Sequence, residues 1–515
     1  MLKVLLVGIY DTNTVSLAPQ ILRSYAEKHS KVAAQCDIVT REFSIFRDST
    51  RHITDEINKE KADIIGFSVY IWNMQEVLEI AKNVTGKVVI GGPQVTGIEK
   101  DILRGNPEIE IIVTGEGEGV FADLLEYYAG KKKIANIRGI TTREIQTPQG
   151  PDIKLDSIPS VYGRIFREHP EISWISLETS RGCPMGCRFC SWSYGRRMRY
   201  ASVEKVKRDL DIILKQPNVK NIYLCDSSLL LNKERAKDIL KHIIEAGADK
   251  SIRYEFSAEQ LDNELIDLLA KLPSHEFNFG IQSINKKALS DMGRAFRRDL
   301  FEKNYLTIAE KFKDANNITI DLIYGLPGDD IGGYKSSLNY AISLPGIRRI
   351  LTNPLIVLPG SAFFRDRRKY KLVLRDEKSY IVKSTYTFSS SDMSLARKYS
   401  FFVAVIYFNY RLRDLIKRFA EKEKRAYIEM IIDFMESLPF AIIKDEDYPD
   451  MVPSIKKDFD HRNAAFVNVI ERYDEIVDHF KAFSSHRYDK NLADYTGHYS
   501  EHFYRLKSLL SADAQ

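Results

Sequence analysis

The sequence predicts an α/β chain in three parts: an N-terminal doubly wound Rossmann-like domain, a partial (βα)6 TIM-like barrel, and a C-terminal α-helical domain. Three observations predict it. From residue 1 to about 145, continuous apolar runs alternate with amphipathic stretches, the pattern of a parallel sheet covered on both faces. The alternation resumes at 172 with six strand–helix units reaching about 375. From 376 to 515 the apolar residues fall at helical spacing. A chain of 515 residues is also too long for one ordinary core.

In the first part, residues 3–9 predict a buried strand and 17–27 a helix. Strands follow over 38–45, 63–69, 87–92 and 109–115, with helices from Asn73 and Glu118. In such sheets ligands bind at the carboxyl ends of the strands. Those ends carry Asn13, Ser16 and Leu17; Ser68, Val69, Tyr70 and Trp72; Gly91, Gly92 and Pro93; and Gly115, Glu116, Gly117 and Glu118. The glycine pairs permit close backbone approach to something flat or phosphorylated. No G-x-G-x-x-G follows the first strand, which argues against a nicotinamide cofactor. Residues 146–171 read as a linker, opening on the turn-rich Gln146-Thr-Pro-Gln-Gly-Pro-Asp152.

In the second part, strands are predicted over 174–179, 219–225, 252–257, 277–282, 318–325 and 348–357, with helices such as 203–214 and 236–246 between them. The strand ends hold Asp226, Glu255, Gln282, Asp321 with Tyr324, and Pro359-Gly360. Asp226 is a candidate for substrate contact. Cys225 beside it reads as a small buried residue rather than a nucleophile. His275 stands at the opposite end of its strand and has no predicted catalytic part. In the third part, Phe466, Val469, Ile470, Tyr473, Ile476, Val477, Phe480 and Phe483 mark one apolar helix face. Shorter versions run over 427–435 and 503–510. An aromatic stripe at this spacing reads as core, so the region is expected to pack on the barrel and close its mouth.

The chemistry is concentrated in Cys183-Pro-Met-Gly-Cys187-Arg-Phe-Cys190, which follows the first barrel strand. Three thiolates on one turn of chain can hold three irons of a 4Fe–4S cubane and leave the fourth iron open for another ligand. Gly182 and Gly186 let the backbone wrap closely. A structural zinc site is the alternative, but zinc takes four closed ligands and no fourth Cys or His follows at finger-like spacing. Of five cysteines only Cys36 and Cys225 remain, too few for a second cluster or a disulfide framework, so a reducing compartment is expected.

Net charge is +5, too modest to argue for nucleic acid. Two basic patches, Arg196, Arg197 and Arg199, and residues 365–371, read as solvated faces. The first could instead meet a phosphate or carboxylate of a substrate. The longest apolar run, 401–408, is far short of the ~20 residues that span a membrane. The N-terminus lacks a basic leader and a cleavage site, so a cytoplasmic protein is expected.

The cysteine spacing, with aromatic Phe189 before the last cysteine, resembles the radical S-adenosylmethionine (SAM) superfamily. The six strand–helix units match that family's barrel. The resemblance implies SAM lying across the barrel top on the open iron. Glu255 and Gln282 then face its methionine and ribose, Arg294 meets its carboxylate, and Ile323-Tyr-Gly-Leu-Pro-Gly328 packs its adenine. The first part resembles the cobalamin-binding domain that precedes many radical SAM domains, on Ser16-Leu17, Gly66-Phe-Ser-Val-Tyr70, Gly91-Gly92-Pro93 and Gly115-Glu116-Gly117. It departs from other cobalamin proteins in lacking D-x-H-x-x-G, so no histidine from that motif is available for cobalt.

The combination is similar to the cobalamin-dependent (class B) radical SAM methyltransferases. It implies methylation of an unactivated carbon of a small-molecule or peptide substrate by way of methylcobalamin. It also implies an external one-electron reductant such as flavodoxin or ferredoxin. Two alternatives stay open: a radical SAM enzyme performing rearrangement, cyclisation or oxidation, and an iron–sulfur sensor or electron carrier.

Overall fold

The computed structural model describes residues 1–438 apart from 11–13, 193–196, 274–275, 313–317, 377 and 409, together with isolated positions between 472 and 479. Its first unit is a six-stranded sheet of β1 (Leu2–Tyr10), β2 (Cys36–Ser44), β3 (Ile64–Ser68), β4 (Lys87–Gly91), β5 (Ile109–Val113) and β6 (Ile140–Thr141). The order is β2-β1-β3-β4-β5-β6, parallel except for the edge strand β6. The connections run through α1 (Leu17–His29), α2 (Thr50–Lys59), α3 (Met74–Ala81), α4 (Glu99–Gly105) and α5 (Gly117–Tyr128).

β1 shows why its sequence is continuously apolar. Val4 and Leu6 enter the core shared with α1 and α5, while Leu5, Val7 and Ile9 enter the core shared with α2, α3 and α4. Part of the predicted linker belongs to this sheet: Thr147 N donates to Ile140 O at 2.9 Å and Gly139 N to Pro148 O at 2.8 Å.

α6 (Tyr162–Glu168) leads into the barrel. Its strands are β7 (Trp174–Leu177), β10 (Asn221–Leu224), β11 (Ser251–Tyr254), β12 (Phe277–Gln282), β13 (Ile318–Tyr324) and β14 (Ile347–Pro354). A short ribbon of β8 (Ser180–Arg181) and β9 (Arg199–Tyr200) stands beside β7. The six strands form two parallel groups, β11-β10-β7 and β12-β13-β14.

The helices α7 (Val203–Leu214), α8 (Lys233–Glu245), α9 (Asn263–Leu269), α10 (Lys286–Asp291), α11 (Arg298–Lys311) and α12 (Ile331–Ser343) alternate with them. Local sequence sets their starts: the side chains of Ser202, Asn232, Asp262, Asn285 and Asp330 each accept a backbone N–H at the first turn of α7, α8, α9, α10 and α12. On β12, Phe279 faces outward and meets Phe301 and Tyr305 of α11 edge-on. Alternation therefore turns Asn278 and Gly280 toward the lumen.

After α13 (Ala362–Arg365) the chain ends its described course in α14 (Ser390–Phe408), α15 (Tyr410–Glu423) and α16 (Tyr427–Glu436). These three helices pack on the barrel. α14 lies along β14 and α12, and α16 packs on α12 and α14. Tyr334 of α12 and Ser400 of α14 hydrogen-bond at 2.7 Å. This is the outer helical layer, where an apolar α16 face covered by Ile428, Ile431 and Met435 is buried. The predicted helix over 466–483 (Ile476 and a few neighbouring positions apart) and the one over 503–510 lie outside the described residues. No described helix is long and apolar enough to cross a membrane.

Candidate functional site

The cysteine loop leaves β8 at Gly182. Gly182 and Gly186 have φ of +97° and +66°, so both turns use a backbone region that favours glycine. The loop is tied at three points. Ser227 Oγ donates to Gly182 O at 2.6 Å, Arg188 N donates to Met292 O at 2.9 Å, and Cys190 N donates to Cys187 O at 3.1 Å. Burial pushes the Cys190 thiol up to about 11, with Cys187 and Cys183 beside it adding to the rise and Arg294 opposing it. The three thiols and Arg294 therefore share one neighbourhood. Arg294 Nη1 lies 3.8 Å from Cys187 Sγ, Nη2 donates to Gly280 O, and Nε is buried with no partner. A donor held open beside a thiolate triad fits a cluster whose outer ligand carries a carboxylate.

Phe189 is half-buried and packs against an apolar cluster that includes Met292, Phe363 and Leu372. Gln282 ends β12 at φ +70° after a bulge between Gly280 and Gln282. A left-handed non-glycine costs roughly 1–2 kcal/mol, and the Gln282 side chain folds back over Gly280, where an added Cβ would meet its amide nitrogen. Glu255 follows β11. Desolvation raises its pKa, and Arg253 and the Tyr223 hydroxyl oppose the rise.

Three predicted positions are corrected. Asp321 sits at the middle of β13, not at its end, and burial lifts it to about 7 with Glu255 adding to the rise. Tyr324 is 1% exposed and its ring lies against Tyr334 of α12, so its side chain serves the outer core rather than the mouth. Asp226 is also 1% exposed. Its carboxylate accepts from Thr179 N at 2.8 Å, Ser180 N at 2.7 Å and Thr179 Oγ1, so it buttresses the start of the cysteine loop from an enclosed position. Cys225, expected to be buried, is half-buried, and desolvation raises its thiol pKa.

In the first domain, Asn13 lies outside the described residues. Ser16 is buried, its N–H donating to Glu42 Oε2 at 2.9 Å, and Leu17 packs toward the barrel core. Val69 is buried, its N–H donating to Gly91 O at 2.7 Å. Tyr70 stacks on Trp72 with centroids 4.4 Å apart, and Tyr10 meets Trp72 edge-on at 5.5 Å. Trp72 Nε1 is buried with no partner. Gly92 and Gly115 adopt φ of +129° and +80°, leaving bare backbone beside Ser68, Pro93 and Gly117 at the strand ends. A cavity of about 450 Å³ opens against Thr114, Gly115, Thr96 and Gln149. A flat aromatic wall, an orphaned donor and glycine turns fit a large planar cofactor with polar edges.

These turns face the barrel. Glu178 and Cys225 stand close enough to Tyr70 to affect its ionisation, and Tyr10 does the same to Tyr223. The decisive ties lie beyond what the sequence predicts. Arg181 pairs with Glu118 at 2.5 Å, Glu178 at 2.8 Å and Glu116 at 3.5 Å. Arg199, opposite it in the β8–β9 ribbon, pairs with Glu116 and donates to Ile153 O at 2.9 Å. Glu116 also accepts from Ile153 N at 2.9 Å. Glu116 is therefore an interdomain tie, not a free cofactor contact, and Arg199 is not free for a substrate anion.

The B12 binding domain family matches residues 6–125 and the Radical SAM superfamily matches residues 177–341. The chain therefore carries a radical SAM domain preceded by a B12 binding domain. Such domains work with a 4Fe–4S cluster, SAM and cobalamin. The chain is 31% identical over 254 residues to an uncharacterized methyltransferase of Pyrococcus horikoshii, covering 46% of this chain and 55% of that one. It is 23% identical over 385 residues to the cobalamin-dependent radical SAM methyltransferase TokK of Streptomyces tokunonensis, covering 70% and 56%. The chain thus spans just over half the length of the curated relatives it matches. The solved structure of the cobalamin-dependent SAM radical enzyme OxsB with aqua-cobalamin superposes at a TM-score of 0.66 with 14% identity, covering 96% of this chain and 83% of that one. It shares the fold.

Proposed function

We propose that this protein is a cobalamin-dependent radical SAM methyltransferase acting on an unactivated carbon of a small-molecule or peptide substrate. The observation that carries the reading is the Arg181 tie, which holds the B12 domain's Glu116–Glu118 turn to the residues leading into Cys183. When bound, the cluster supplies the electron that cleaves SAM and cobalamin carries the methyl group. Cys183, Cys187 and Cys190 hold the cluster. Arg294 orients the SAM carboxylate, and Gln282 and Glu255 present polar groups at the rim. Tyr70, Trp72 and the Gly92 and Gly115 turns present the corrinoid to the mouth. Packing of the first domain over the barrel excludes water from the space between them.

Five cysteines with no disulfide between them suit the reducing cytoplasm, and no nucleic acid is part of the reading. Anaerobic reconstitution with SAM and hydroxocobalamin tests it. 5′-Deoxyadenosine and S-adenosylhomocysteine are expected, with the first lost and corrinoid binding kept in Cys183→Ala, Cys187→Ala or Cys190→Ala. Absence of both products from the wild type sinks the methyltransferase and leaves a non-catalytic iron–sulfur protein. 5′-Deoxyadenosine without S-adenosylhomocysteine points to non-methylating radical chemistry.

A further inference from the structure

The tip of the cysteine loop lies at the protein surface. Pro184 and Met185 are exposed, as is Trp192 just beyond Cys190. One neighbouring segment is fastened to this loop. Phe363 N donates to Arg188 O at 2.9 Å, and Arg188 Nη1 pairs with Asp366 Oδ2 at 2.9 Å. Phe189 packs against the apolar cluster that includes Phe363, Tyr370 and Leu372.

The same segment is Arg365-Asp-Arg-Arg-Lys-Tyr-Lys371. Five cations and one acid leave it a net charge of +4, against +5 for the whole chain. Its single acid is taken by Arg188. Arg365, Arg367, Arg368, Lys369 and Lys371 are all exposed, and none pairs with an acidic side chain among the described residues. Two of them are held in place rather than loose. Arg365 donates to Gly360 O at 2.5 Å, and Arg367 donates to Phe364 O at 3.0 Å while lying over the Phe364 ring. Uncompensated like charge repels itself. Its fixed position, one hydrogen bond from the loop that carries the cluster ligands, is what needs explaining.

We propose that Pro184, Met185 and the 365–371 segment form the docking surface for an acidic protein that donates single electrons to the cluster. This rests on the radical SAM reading of the loop. In the step itself, a reduced flavin hydroquinone becomes the semiquinone and releases a proton to solvent. The 2+ cluster takes the electron and becomes 1+, and no bond in this chain forms or breaks. Electron-transfer encounters of this type are small, below about 1,200 Å², and rely on charge complementarity for speed. Steering by opposite charge raises association about 10- to 1,000-fold and fades as salt shortens the screening length.

The test uses the full chain reconstituted with its cluster, flavodoxin as the acidic donor, and dithionite as a small donor that needs no docking. The variant is Arg367→Glu/Arg368→Glu/Lys369→Glu. The control is Lys131→Glu/Lys133→Glu, exposed on the first domain. Binding of oxidised flavodoxin is measured by titration, and cluster reduction is followed by EPR. The triple variant is expected to lose about tenfold or more in flavodoxin affinity and reduction rate, with dithionite reduction unchanged. The control should match wild type. The wild-type flavodoxin rate should fall with ionic strength, a readout that needs no variant.

Flavodoxin reduction of the triple variant at the wild-type rate overturns the proposal. So does equal slowing in the control, or a wild-type rate indifferent to salt. Failure of dithionite to reduce the wild type is a different result, and it removes the cluster reading underneath.

Discussion

Arg181 Nη2 lies 2.5 Å from Glu118 Oε1 and 2.8 Å from Glu178 Oε2. Glu118 stands in the first turn of α5 in the B12 domain, Glu178 follows the first barrel strand, and Arg181 precedes Cys183 by two residues. One guanidinium joins all three. Desolvation works against its charge, but Glu178 and Glu118 outweigh it and hold its pKa above the ordinary arginine range. Arg181→Met leaves two carboxylates facing each other without a cation. A loss of about 3–5 kcal/mol is expected in urea unfolding, with weaker corrinoid binding by titration. Arg181→Lys should recover only part, because an ammonium lacks the planar fork that bridges both acids. Unchanged stability in Arg181→Met would show that the tie carries no load.

Asp226 holds the same loop from below. Its carboxylate serves two backbone N–H groups and the Thr179 hydroxyl. Arg235 grips the other side of Thr179, donating to Thr179 Oγ1 and Thr179 O at 3.0 Å each. Asp226→Ala orphans several buried donors at once, which is expected to cost about 3 kcal/mol. The loop bearing Cys183 then loses its fixed start. Iron and sulfide analysis after reconstitution should show reduced cluster loading. Full loading with intact stability would make Asp226 a candidate substrate contact again.

How much of this is legible in the sequence follows from the range of each interaction. The strands are readable because β1, β3, β4 and β5 are buried on both faces, and the Ser202 cap and apolar spacing bound helix α7 at 203–214. The cysteine loop is readable because its three ligands lie within eight residues. The site's polar roles are not. Asp226 and Thr179 are 47 positions apart, and Glu116 and Arg199 are 83 apart. Nothing local in either sequence says that the acid is already engaged. Tyr324 and Asp321 fail for a related reason. They are three residues apart on one strand, so they face opposite sides, and only the register shows which side is lumen.

The glycines of the B12 domain separate into two kinds, which makes a paired prediction. Gly92 has φ +129°, and a Cβ there would collide with Val69 O and come within 2.9 Å of Val69 N. Both are backbone atoms that cannot move aside. Gly119 lies inside α5 with nothing within 4 Å of its added Cβ. Gly92→Ala is expected to destabilise by about 2 kcal/mol or more and to weaken corrinoid binding. Gly119→Ala should stabilise by about 0.5–1 kcal/mol through helix propensity. Thermal unfolding of the two variants checks both signs. Equal effects would mean the Gly92 turn relaxes freely.

Asp321 makes a prediction in pH. Its carboxyl sits at about 7 in the folded chain against an ordinary 3.8, because burial disfavours the charge and Glu255 adds to the rise. The folded chain therefore holds this proton more tightly than the unfolded chain does. Below about pH 4 both states are protonated and the site costs nothing extra. As pH rises from about 4 to about 7 the unfolded chain ionises first, so the native state loses ground, and above about 7 the penalty is constant. A tenfold difference in proton affinity is worth about 1.4 kcal/mol, and water reaching the lumen reduces the full sum, so an effect of at least about 1 kcal/mol is expected. Asp321→Asn keeps the shape and cannot ionise. Its stability relative to wild type should be least favourable near pH 4 and should improve to a plateau near pH 8, measured by urea unfolding at both. A difference independent of pH would mean that the carboxyl is ionised in the folded barrel, and Asp321 would then be solvated rather than enclosed.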